Sequence, residues 1–389
     1  MPKNGALPVK VIRLPDSLPL AERQLICHAY SIRAAANLTG SLLRRKVTSS
    51  FRIFIVPTIV LALTLDSAQA GITVENASEY KIQDLGELPE ISDDVTVAVN
   101  RGGSVAFCSS TEHGVRATVW ERGNAAPIEG VPGYPNSIAH AINRRGDIAG
   151  WMNTSENPVD SLSTVQGFIR HGKRTRLVAG LGGRNSRVLG LSDQGAAVGT
   201  ADLPSGTRHA FLMNGSAVTD LGTLPAGTSS AAYAINNAGM IVGAADVDGQ
   251  HNHAVAWLRE KIVDLGTLRD GTLSSARALN ERGQIAGFGD TPEGFHAFLY
   301  SEGVMLDLGT LRGPPSAASG INNRGEVVGV SNHHAFLWRH GHMTDLGSLV
   351  PRGSNWVLLD AFSINDRGQI ACSARHRGQP AHLLLLTPT

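Results

Sequence analysis

From residue 81 onward the apolar positions come in short runs of four to six, split by clusters of Gly, Asn and Asp. Runs such as "AAYAIN", "ARALN" and "AFSIN" precede an Asn, and β-branched runs such as "MIVG", "EVVG" and "QIAG" follow the next Gly. A polar loop of variable length then leads to "HAFLM", "HAVAW", "HAFLY" or "HAFLW", and a Gly-containing turn leads to a run ending in Asp-Leu-Gly. Short strands between turn residues are an all-β signature, and no window after residue 71 carries the 3.6-residue period of a core helix.

The pattern recurs. Asn-x-x-Gly begins at Asn100, Asn143, Asn236, Asn280, Asn322 and Asn365, with a weaker copy at Ser192. The seven copies are 43, 49, 44, 44, 42 and 43 residues apart, the length of a four-stranded propeller blade. Asn-x-x-Gly suits a type I turn with Gly at the left-handed position and predicts a hairpin joining the first and second strands. The residue two before each Asn (or Ser192) is small, from Ala98 to Ser363, and the residue one before is aliphatic. A strand with one small and one bulky face suits the crowded centre of a ring.

The chain ends predict how the ring closes. "KIQDLGEL" at 81–88 reads as a fourth strand with no blade before it, and the last repeat supplies three strands and stops. Joining the two gives a seven-bladed β-propeller over 81–389 in which the N-terminal strand completes the last blade and no sheet edge is left open.

Four His–Asp pairs recur at a spacing of 11: His209 and Asp220, His253 and Asp264, His296 and Asp307, His334 and Asp345. The odd spacing predicts that each pair sits directly opposite across the third hairpin, as a structural hydrogen bond. A catalytic dyad is the less favoured reading, because a ring rarely needs four active sites.

Two features vary where the rest repeats. The residue three before each Asn reads Val97, His140, Leu189, Tyr233, Arg277, Ser319 and Phe362. With Asp360, the residues His140, Tyr233 and Arg277 are candidates for a binding site at the channel mouth, set against uneven filling of the channel. The loops between second and third strands carry Glu112, Glu156, Asp160, Asp202, Asp246, Asp248, His251, Asp290, Glu293 and His333. Of these Asp246, Asp248, His251, Asp290, Glu293 and His333 are the loop-face binding candidates, since variable polar loops on a rigid scaffold are the usual place for binding. "DVDG" at 246–249 lacks the later acidic ligands of a calcium loop, so no metal is expected.

Charge and the N-terminus bear on address. A basic flank, an apolar run from Ile53 to Leu65 and Ala68-Gln69-Ala70 predict a secretory signal over 48–70, cut after Ala70. That run is shorter than the ~20 residues of a spanning helix. Residues 71–80 read as a linker. Residues 1–47 form a leader without repeats, explained by a mis-assigned start, a long leader or a cytosolic tail. Nine of the 34 Lys and Arg and three of the 33 Asp and Glu lie in 1–70, so 25 basic and 30 acidic residues remain, a net charge of −5. Such a surface offers no footprint for nucleic acid. Cys108 and Cys372 fall on second strands of blades that become neighbours on closure. Their unlike offsets from the local Asn favour free thiols over a bridge.

The His-Ala-Phe segments at His209, His296 and His334, with Asp-Leu-Gly-Thr-Leu at Asp220, Asp264 and Asp307, resemble the bacterial HAF-repeat family of extracellular repeat proteins. The likeness covers 81–389 and is densest from 205 to 350; the first two blades depart from it, with "RATVW" and "QGFIR" in place of His-Ala-Phe. It implies export and repeats, and no catalytic residue. The expected function is therefore a secreted or periplasmic, monomeric binding scaffold for an extracellular protein or glycan, without a cofactor. The alternative is an extracellular polysaccharide lyase or hydrolase working at the channel mouth. No nucleophile elbow, zinc-protease helix motif, phosphate loop or adjacent cysteine pair is present.

Overall fold

A computed structural model describes residues 79–389, apart from 90–95, 113, 156–163, 260 and 377. The leader, the signal segment and loop acids Glu156 and Asp160 lie outside the described residues.

Seven four-stranded antiparallel sheets form the ring of a β-propeller. Blade four is representative, with strands Ser230–Ile235, Ile241–Asp246, Asn252–Leu258 and Lys261–Asp264 running from the channel outward. Closure is as the chain ends predict. Blade seven takes Val357–Ile364, Ile370–Arg375 and His382–Pro388 from the C-terminus, and its outer strand is Tyr80–Glu87. Lys81 pairs with Thr387 and Gln83 with Leu385. The strand begins one residue before the expected boundary. His382 Nδ1 lies 3.0 Å from Asp84 Oδ2, so the closing pair carries its own His–Asp contact across the two ends of the chain.

The core sits between blades. The Phe of each His-Ala-Phe is fully buried, as with Phe211, Phe298 and Phe336. Phe298 of blade five packs on Val242 and Ala254 of blade four. Phe336 of blade six packs on Ala286 and Ala297 of blade five. Each such ring contributes about 2–3 kcal/mol by removal from water, and the facing alanines leave the room it fills. The small face of the first strand has the same cause. A Cβ added to Gly320 would meet Ser363 Cα at 3.1 Å and Ile364 N at 3.2 Å, the backbone of the next blade.

Asn-x-x-Gly does more than turn the chain. Asn236 Oδ1 accepts from the N–H of Ala238 and Met240 within its own hairpin. Its amide then donates to Asn280 O in the next blade at 3.2 Å. Asn280 reaches Asn322 O, Asn322 reaches Asn365 O, and Asn365 reaches Asn100 O. Asn100 reaches Asn143 O, and Asn143 reaches Ser192 O. These buried amides tie blade to blade around one end of the channel. Ser192 has no amide to pass on, and there Asn237 Nδ2 bonds Asp193 Oδ2 at 3.0 Å instead.

The His–Asp register differs from the expectation of direct opposition. Asp220 faces Phe211, and Asn214 faces Ala217. The hairpin is centred one residue later than a pair 11 apart requires, so His209 and Asp220 are diagonal neighbours. The contact survives because the imidazole reaches along the strand, with Nδ1 at 2.9 Å from Oδ2. The same carboxylate accepts from Gly222 N–H at 2.8 Å, which fixes the Asp-Leu-Gly turn.

Candidate binding site at the channel mouth

Six of the seven variable residues share a backbone cause. In every first strand except that of blade one, whose ladder begins only at Ala98, the pairing slips by one at this position, for example between Ala232 and Ala234 in blade four and between Ala276 and Ala278 in blade five. Tyr233 and Arg277 are thus bulge residues, unpaired in the ladder and turned toward the axis. The second strand makes room for the bulge with glycine: a Cβ on Gly243 would stand 1.9 Å from Ala231 O.

All seven, from Val97 to Phe362, line one cavity of about 660 Å³ on the face opposite the Asn belt, and Asp360 lines it too. The structure therefore brings His140, Tyr233, Arg277 and Asp360 to a single site. It adds Arg187, Arg208 and Phe288, which the repeat comparison did not single out.

Arg277 defines the chemistry. Its guanidinium carbon lies 4.3 Å from the Tyr233 ring centroid and 5.2 Å from that of Phe288. Among the described residues no carboxylate pairs with it. Stacked rings hold the cation in place and leave its N–H edge for a ligand. Arg187 makes the matching contact with Trp151 at 4.7 Å. Arg208 is paired with Asp202 at 3.2 Å.

His140 is a poor base here. Trp151 Nε1 can only donate, so His140 Nε2 accepts at 3.0 Å. Burial, helped by the Arg187 charge, pushes its pKa down to about 3. The neutral ring then carries its proton on Nδ1, and both nitrogens are committed. Asp360 moves the other way. Burial pushes its carboxyl up to about 6, and its Oδ1 is sealed from solvent without a hydrogen-bond partner.

The loop-face candidates lie apart from this cavity, and most are engaged in the fold. Asp246 accepts from Thr228 N–H at 2.8 Å and Thr228 Oγ1 at 2.9 Å. Asp290 accepts from the N–H groups of Thr272 and Leu273, both at 2.7 Å. Each holds down the loop entering its own blade. These contacts keep both acids below the usual carboxylate range; the Thr228 N–H leads for Asp246, while for Asp290 they outweigh burial. Asp248 pairs with His251 at 2.7 Å on the surface. Glu293 sits in a tight exposed turn, its N–H on Thr291 Oγ1. His333, at φ 63°, borders a second, apolar cleft of about 300 Å³ with Phe288, Phe295, Pro315, Ala317 and Val330.

Cys108 and Cys372, the cysteines among the described residues, are buried free thiols. Cys108 faces Ile138 and Trp151 of blade two, and Cys372 faces Leu358 and Leu384 within blade seven.

No family model matches the sequence, and no curated protein matches it. Solved structures do. The β-propeller domain of the Trilobed protease from Pyrococcus furiosus is 9% identical, with a TM-score of 0.47 over 75% of this chain and 95% of that one. Acylaminoacyl peptidase from Pyrococcus horikoshii is 10% identical, with a TM-score of 0.44 over 72% of this chain and 50% of that one. This chain thus spans about half the length of the peptidase. TolB from Acinetobacter baumannii is 9% identical, with a TM-score of 0.39 over 79% and 96%. Likenesses this distant carry no functional argument.

Proposed function

We propose that this chain is an exported HAF-repeat propeller that binds an extracellular protein or glycan through its loop face, with the channel mouth as the primary site. The observation that carries the reading is the placement of all seven variable residues around one cavity. The framework repeats and the lining differs from blade to blade, as expected where a rigid scaffold presents a particular ligand surface. Arg277, stacked and without a carboxylate partner among the described residues, is the group around which recognition is built. A binding role is favoured over a lyase or hydrolase because His140 has no nitrogen free to take a proton. Export rests on the signal-like 48–70 segment and the HAF-type motifs. Among the described residues no helix is long and apolar enough to cross a membrane.

Two measurements test this. Glycan and peptide arrays probed with the purified full chain should give ligands whose binding falls on Arg277→Gln; turnover of a bound glycan would replace the binding role by the enzymatic one. N-terminal sequencing of chain recovered outside the cytoplasm should begin at Gly71. Recovery only inside the cytoplasm, uncut, would overturn export.

A further inference from the structure

The channel cavity and the apolar cleft adjoin, with Phe288, Ala317 and Val330 in the walls of both. We propose that this site takes the free C-terminus of a peptide with an apolar last residue, its carboxylate on Arg277 and its side chain in the cleft. The inference rests on the binding role proposed above and specifies the ligand.

Three observations carry it. The first is charge. Arg187, Arg208 and Arg277 line the cavity against the single carboxyl of Asp360. Arg187 and Arg277 both lie over rings, and Arg277, which stands beside the cleft and pairs with no carboxylate among the described residues, can turn its fork to both oxygens of a carboxylate.

The second is the cleft. Its apolar walls are Phe288, Phe295, Pro315, Ala317 and Val330, with Ser316, Asn332 and His333 completing the lining, and Phe295 remains 41% exposed. A large aromatic left open one ring away from a cation is an unfilled apolar contact. A sugar acid would suit the arginine but strand its hydroxyls against these walls, at a cost of about 1–3 kcal/mol for each unpaired group.

The third is spacing. The Arg277 guanidinium is 5.2 Å from the Phe288 centroid, and Phe288 meets Phe295 edge-on at 5.8 Å. An anion and an apolar group that close together match an α-carboxylate and its own side chain. The rest of the peptide would run into the 660 Å³ cavity, where the Ser319 hydroxyl, and the Ser363 hydroxyl that accepts from Val99 N–H and can still donate, lie along its path. A long alkyl chain would find no such use for them.

The test is calorimetric titration of the full chain with four probes: acetyl-Ala-Ala-Leu as free acid, the same peptide as C-terminal amide, trigalacturonate, and decanoate. The free acid should bind, and the amide should bind weaker by about tenfold or more. Arg277→Gln should lose affinity for the acid by a similar factor and bind acid and amide alike. Phe295→Ala, at an exposed position, should weaken the acid by about threefold or more. Thermal melts establish that the variants fold, and the acid–amide comparison on the parent decides the matter if Arg277→Gln does not. Equal binding of acid and amide would overturn the proposal. So would Arg277-dependent binding of trigalacturonate or decanoate in place of the peptide, which would leave the broader channel-mouth role standing. Silence from all four probes together with blank arrays would remove both.

Discussion

Asp360 is a place where the fold works against its own stability, and the size of that conflict can be worked out. Its Oδ1 lies buried without a partner, and burial raises the carboxyl from 3.8 to about 6. A raised acid favours the folded chain in its protonated form. That stability is therefore fully present below pH 3.8 and is lost as pH rises through about 6. At ~1.4 kcal/mol per tenfold change in proton affinity, the loss at pH 8 reaches a ceiling of about 3 kcal/mol. Asp360→Asn removes the charge and keeps the shape. The amide leaves a buried polar group of its own, costing about 1 kcal/mol, so the variant should be more stable than the parent by about 2 kcal/mol at pH 8. At pH 4, where the parent's folded carboxyl is protonated, the two should nearly coincide. Urea unfolding of both proteins at pH 4 and pH 8, followed by tryptophan fluorescence, reads this directly. An advantage of equal size at both pH values would refute the reasoning, as would a parent more stable than the variant at pH 8.

Three further outcomes follow from other parts of the ring. Asn322→Ala deletes three part-buried bonds within its hairpin and the buried link to Asn365 O, and should cost about 2–4 kcal/mol by urea unfolding; a loss below 1 kcal/mol would deny the Asn belt its role. His382→Ala and His334→Ala should each cost about 1 kcal/mol, but only His382→Ala should speed hydrogen exchange in 80–87, because only that pair spans the closure; equal exchange in the two variants would count against it. Burial pushes the Cys108 thiol up to about 12 and the Cys372 thiol higher still, so neither should react with a thiol reagent at pH 8 until the chain unfolds, and prompt labelling of the native protein would show that these strands open.

What the sequence made legible is what repeats. Six Asn-x-x-Gly turns and a seventh led by Ser192, a small-and-bulky alternation before each and an incomplete blade at either end were enough for the ring and its closure, because period-two burial and blade length each admit few arrangements. The variable position before the turn was visible as variation but not as geometry. A bulge is a slip of one residue between two strands, and a single strand carries no sign of it beyond the glycine opposite, as at Gly243. The His–Asp spacing misled by the same margin: a pair 11 apart is close to opposite in a two-residue hairpin, and only the register shows it to be diagonal. Asp246 and Asp290 looked free because the Thr residues that bond them lie 18 positions back across a loop. Yet one clue to the site was in plain view. Tyr233 and Arg277 are the same repeat position one blade apart, and in a closed ring successive copies of one position are neighbours; their 4.3 Å stacking follows from that rule. Read this way, the ring is a device for placing residues from seven distant parts of the chain side by side, and the identity of the residue at this position in each blade sets the chemistry of the channel lining.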